Sequence, residues 1–183
     1  MQTDQLPTLL TICGSTRSKS VNLSILRFLG DRFADKAHWQ DSLPLDRIPH
    51  FNPDQDTDKP PEAVQLFRSQ IETAHGLLIC TPEYVFSVPG CLKNALEWLV
   101  STTLLTDKPV ALITAASSGV AGHASLQMIL KTVGAHLQDT CNLLIGAPQT
   151  KLSPEGQITD AATCKALDQL MLSFLPVLLI QKS

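Results

Sequence analysis

The sequence predicts an α/β domain: a doubly wound, five-stranded parallel sheet with helices on both faces. Two observations predict it. Strand-like and helix-like segments alternate along the 183 residues. Several strand-like segments are apolar throughout instead of alternating, as expected of strands covered on both faces. Five strand–helix units fill the chain as a single domain over 1–183, with no internal repeat.

The elements follow in order. "PTLLTICG" (7–14) is a short apolar run ending in glycine and reads as the first strand. Residues 21–37 place Leu23, Leu26, Leu29 and Phe33 at helical spacing. A second, weaker strand is expected at 38–43, and a long surface loop at 44–61, rich in proline and aspartate. Val64, Phe67 and Ile71 share one face of a helix over 62–74. "GLLICT" (76–81) is the third strand, and Pro89 suits the first turn of a helix over 90–102. Strands at 108–116 and 140–147 and helices at 123–137 and 159–180 complete the pattern. The order expected for such a chain is 2-1-3-4-5, the flavodoxin-like arrangement, with ligands at the carboxyl ends of the strands near the switch point.

Composition excludes several classes. Apolar residues make up 44% and charged residues 17%, a globular and not a disordered balance. A net charge of −3 offers no basic field for nucleic acid or an anionic membrane. Five cysteines, none in a CxxC pair, read as free thiols of a reducing compartment. The first ten residues lack the basic and apolar regions of a signal peptide, so a cytoplasmic location is expected. The apolar run at 170–180 contains Ser173 and Pro176 and is too short to span a bilayer.

The chemistry is expected in the loops after the first, third and fourth strands. "GSTRSKSVN" (14–22) gathers Ser15, Thr16, Ser18, Ser20 and Arg17 before a helix. Hydroxyls, a guanidinium and the unpaired N–H groups of a helix start make a phosphate cradle. The loop is neither a Walker loop nor GxGxxG, so a phosphate monoester suits it better than a triphosphate or pyrophosphate. It equally suits a serine-rich N-cap turn with an exposed arginine. "TPEYVFSVPG" (81–90) is unusually apolar for a loop. A flat apolar ligand or a partner subunit would account for it, with Glu83 and the backbone supplying polar contacts. "SSGVAGH" (117–123) has small residues that let a backbone approach a ligand, or simply make a glycine turn. Phosphate at one end and a flat ring across two further loops describe a mononucleotide with a large aromatic head, and FMN is the candidate.

Two segments also resemble a known family. "GSTRSKSVN" resembles the GSxRxxSxN loop, and "PEYVFSVPGCLKNALEWL" the PEYNxSxPGxLKNAxDW segment, of the NADPH-dependent FMN reductases. The resemblance extends over nearly the whole chain. It implies a flavodoxin-like fold, bound FMN, and dimers or tetramers. It assigns Ser15, Arg17, Ser20 and Asn22, with Val21 between them, to the FMN phosphate. Pro82, Glu83, Tyr84, Val85 and Phe86 would border the isoalloxazine, and Ser117 and Gly119 would complete the pocket. Val85 stands where the motif has asparagine, and His123 stands where small residues are commoner.

The function so implied is NAD(P)H oxidation coupled by a ping-pong cycle to reduction of a quinone, flavin, azo compound or metal oxyanion. Flavin N5 would carry the hydride, so no catalytic side chain is expected. N–H groups of the second loop would stabilise charge on the reduced ring. The alternatives are a flavodoxin-like electron carrier without its own NAD(P)H oxidase activity, and a flavin-free interaction module. Cys13 and Cys80 read as buried apolar groups on neighbouring strands. The five histidines show no metal-ligand spacing. Lys93 and Glu97 read as a surface pair, and Trp98 as core or interface. The apolar second loop and last helix point to a symmetric dimer with the 90–102 helix at its interface.

Overall fold

The structure, a computed structural model, describes residues 6–153 and 155–180. Of the ten N-terminal residues in which a signal peptide is not expected, 1–5 lie outside the described residues. Five parallel strands, β1 (Thr8–Cys13), β2 (His38–Asp41), β3 (Gly76–Thr81), β4 (Pro109–Ala116) and β5 (His136–Gly146), form one sheet in the order β2-β1-β3-β4-β5. The helices α1 (Val21–Arg32), α2 (Glu62–Thr73), α3 (Gly90–Glu97), α4 (Val120–Thr132) and α5 (Ala161–Ile180) cover it. The expected fold class and strand order are the observed ones.

Period-two geometry sends alternate strand residues to opposite faces. Leu77, Ile79 and Leu112 therefore meet Phe67, Ile71, Leu92 and Leu126 of α2, α3 and α4. Leu78, Cys80, Ala111 and Ile113 meet Ile25, Leu29, Met171 and Phe174 of α1 and α5. Every residue of β3 and β4 is buried, which is why those segments carry no polar alternation. Each fully buried Leu, Ile or Phe contributes about 1.5–3 kcal/mol.

Element ends depart from expectation where a distant side chain intervenes. The α1 helix stops at Arg32, not 37, and the indole N–H of Trp39 takes the carbonyl of its C-cap Phe33 at 3.1 Å. α3 ends at Glu97, not 102, because Arg68 takes the carbonyl of Trp98, and the N–H groups of Leu99 and Val100 bond three residues back. α4 starts three residues earlier than expected. His136 and Leu137 belong to β5, paired with Pro109 and Val110 across a register shift. The 44–61 segment is not wholly a surface loop. It holds short 3-10 turns at Leu45–Arg47 and Pro53–Gln55 and sends Leu45 and Ile48 into the core.

The last helix is longer than its apolar run suggested. By length and composition alone, Ala161–Leu179 is apolar enough to cross a membrane. In the fold it is a core helix, with Leu167, Leu170, Met171, Phe174 and Leu178 buried on the sheet.

Candidate functional site

The carboxyl ends of β1, β3 and β4 open onto a cleft of ≈ 310 Å³. The first loop supplies Ser15, Arg17, Lys19, Ser20, Val21 and Asn22 to its wall. Ser20 is the N-cap of α1: its Oγ accepts the N–H of Asn22 at 3.2 Å, and its hydroxyl also faces the thiol of Cys13. The Oγ of Ser15 accepts the N–H of Arg17. Arg17 is exposed and makes no ion pair among the described residues. Asn22 turns inward instead, and its Oδ1 accepts the thiol of Cys80 at 3.4 Å. That residue braces the loop on the sheet. Hydroxyls, one unpaired guanidinium and the start of a 12-residue helix form a donor set suited to a terminal phosphate.

The second loop contributes Pro82, Glu83 and Tyr84. Tyr84 and Ser87 exchange backbone hydrogen bonds of 2.9 and 3.0 Å around a tight turn. Val85 and Phe86 at its centre both have positive φ, 52° and 55°. This is the geometry of a type I′ turn, which favours Asn and Gly and strains a β-branched residue. Both side chains project outward, 95% and 79% exposed, and neither lines the cleft. The N–H groups of Tyr84 and Ser87 are spent within the turn.

The third loop is shorter than expected, because Val120 to His123 form the first turn of α4. Ser117 lines the cleft and Gly119 does not. Gly119 is the N-cap with φ 81°, and a Cβ there would lie 2.6 Å from Leu144. Its N–H donates to Glu83 Oε1 at 3.3 Å, and that of Gly122 donates to Glu83 Oε2 at 2.6 Å. The Glu83 carboxylate thus caps α4 across the cleft's edge. His123 sits behind the loop, with Nδ1 hydrogen bonded to Thr114 at 2.9 Å and Nε2 to Gln127 at 3.3 Å; burial pushes its pKa down.

Pro148 and Gln149, after β5, form a fourth wall that the sequence reading missed, together with Lys19, Ala115 and Ala116. The rule that pointed to three strand ends applies equally to β5 and would have found them. Cys13 and Cys80 pair in register on β1 and β3. Burial pushes both thiols up, the direction of inert groups. Lys93 and Glu97 pair at 2.6 Å on the surface, and Trp98 is fully buried.

Known proteins are similar to this chain in sequence and in fold. Residues 7–146 match the family model of the NADPH-dependent FMN reductases. The quinone reductase of Escherichia coli (strain K12) is 34% identical over 176 residues, covering 90% of this chain and 92% of the relative. The NADH:(hydroxy)cinnamate reductase subunit CrdA of Vibrio ruber is 33% identical over 172 residues, covering 90% and 84%. The solved flavoenzyme NAD(P)H:(acceptor) oxidoreductase FerB from Paracoccus denitrificans superposes with a TM-score of 0.83 and 26% identity, covering 94% of this chain and 97% of that one. Fold and family together define an NAD(P)H-dependent flavin oxidoreductase. The chain belongs to the NADPH-dependent FMN reductase family.

Proposed function

We propose that the chain is a single-domain cytoplasmic reductase that holds FMN in this cleft, oxidises NADPH or NADH, and passes the electrons to a quinone. The observation that carries this reading is the cleft itself. Arg17, Ser15, Ser20 and the start of α1 line it together with Pro82 and Tyr84. The donor set fits a phosphate monoester, and the half-exposed Tyr84 ring offers a stacking wall beside Ala115 and Ala116. When bound there, FMN supplies hydride acceptance and one- or two-electron release. The protein's part is to bind the phosphate, to border the ring through Pro82 and Tyr84, and to leave a stacking face open. A quinone is the favoured acceptor class because of the likeness to the Escherichia coli quinone reductase over nine-tenths of both chains. Azo compounds, free flavins and metal oxyanions are the other acceptors such an open site would serve.

We place the subunit contact of a homodimer on α3 and α4. An apolar groove of ≈ 390 Å³ runs there, lined by Phe51, Leu96, Val100, Met128, Ile129 and Val133, with Val100 and Met128 exposed. A monomer mass by light scattering at micromolar concentration would end that assignment, and a fourfold mass would indicate a tetramer.

The test is the visible spectrum of the purified protein after adding FMN and desalting. A retained flavin spectrum, bleached by NAD(P)H without air and restored by a quinone, is expected. Arg17→Ala should weaken FMN binding by about 10–100-fold, the loss of one charge-assisted hydrogen bond, and leave riboflavin binding unchanged. Flavin retained but not bleached by NAD(P)H would make the protein a carrier. No retained flavin would remove the cofactor reading.

A further inference from the structure

We infer that Glu83 is a positioning residue for this cleft: its carboxylate ties the apolar turn to the start of α4 and leaves negative charge beside the site, which favours oxidised over reduced FMN. The inference rests on the FMN reading above.

The start of α4 lacks a capping side chain of its own, because its N-cap is Gly119. Glu83 supplies the cap from a loop 36 residues earlier. Each carboxylate oxygen takes one amide, Oε1 that of Gly119 and Oε2 that of Gly122. The approach depends on Gly122. A Cβ there would sit 3.0 Å from Glu83 Cγ and 3.1 Å from the carbonyl oxygen of Ser87. The contact joins the second and third loops, which both border the cleft.

The electrostatic consequence follows from magnitudes. The N-terminus of a helix carries roughly +0.5 elementary charge. Alone, it would stabilise the anionic reduced ring, as N–H groups were expected to do. A carboxylate bonded to it more than cancels that charge and leaves roughly −0.5. The cations that line the cleft, Arg17 and Lys19, lie on the first loop, at the end assigned to the phosphate. The cleft therefore disfavours the extra negative charge of reduced FMN and makes it the stronger reductant toward an acceptor.

Glu83→Gln removes the charge and keeps one oxygen to cap Gly122. The expected result is oxidised FMN bound nearly as in the wild type and reduced FMN bound about tenfold more tightly, a midpoint potential higher by about 30 mV for the two-electron couple. Potentials are read by equilibration with a redox dye and affinities by fluorescence quenching on the apoprotein. An unchanged potential overturns the inference. Gly122→Ala is the second variant, for use if Glu83→Gln does not fold. It keeps the charge but crowds the contact, so it should weaken oxidised and reduced FMN alike and speed amide exchange over 84–87. Wild-type FMN affinity and exchange in this variant would overturn the positioning role. Failure of the wild type to bind FMN would instead strike the proposed function, which separates the two.

Discussion

Asn94 and Trp98, one turn apart at the end of α3, donate to the same carbonyl: Asn94 Nδ2 and Trp98 Nε1 reach the oxygen of Pro49 at 2.9 and 2.8 Å. Asn94 Oδ1 also accepts the N–H of Phe51 at 2.7 Å, and the Phe51 ring meets Trp98 edge-on at 5.1 Å. The PGxLKNAxxW stretch thus clamps the 48–51 segment and contributes no residue to the cleft lining. Asn94→Ala leaves buried backbone groups unpaired and should cost about 1–3 kcal/mol. Trp98→Phe loses one hydrogen bond and some volume and should cost less than Trp98→Ala, for which about 3–5 kcal/mol is expected. Urea denaturation measures each.

Arg68 and Lys93 offer a contrast. Arg68 pairs with Asp56 at 2.7 Å, their side chains 15% and 8% exposed, and also holds the carbonyl of Trp98. Arg68→Ala removes the ion-pair partner of Asp56 and the donor to the Trp98 carbonyl, and should destabilise by about 1–3 kcal/mol. Lys93 and Glu97 are 44% and 40% exposed. Lys93→Ala should cost only about 0.3–0.5 kcal/mol. Equal losses in thermal unfolding would refute this ranking.

Val85 occupies a strained position with little to gain from its exposure. Val85→Asn gives the turn a residue that tolerates left-handed backbone and should stabilise by about 1 kcal/mol. For a chain of this size that raises the melting temperature by about 2–4 °C. FMN affinity should change by no more than about twofold, because the side chain stands outside the cleft.

His123 sets a pH dependence. Burial depresses its folded pKa below the usual 6.5, so the unfolded chain binds more protons in the window just below that value. Its contribution to stability is complete above about pH 6.5 and is lost as pH falls through the window toward the folded pKa. His123→Gln, which does not titrate, should flatten the stability profile from about pH 7 to 5. An unchanged slope in urea titrations across that range would contradict the assignment.

Strand order and the location of the site were legible because they depend on local pattern. Continuous apolar runs such as 76–81 can only be buried on both faces, and the loop composition of 14–22 and 81–90 is visible residue by residue. The early end of α3 was not legible, because Arg68 comes from another helix. Nor was Gln149, whose place in the cleft follows from sheet order rather than from its neighbours in sequence.

The sequence alone determined the α/β class, the 2-1-3-4-5 order and the residues from which a phosphate site can be made, since periodicity, apolar runs and short motifs are properties of neighbouring residues. Only the tertiary structure decided what those residues do. It turned Asn22 inward to Cys80, committed the Glu83 carboxylate to the amides of α4, and put Val85 and Phe86 outside the cleft wall. The physical reason is that a hydrogen-bonding group is claimed by the partner that folding brings within about 3 Å, and in a parallel sheet that partner lies far away in sequence.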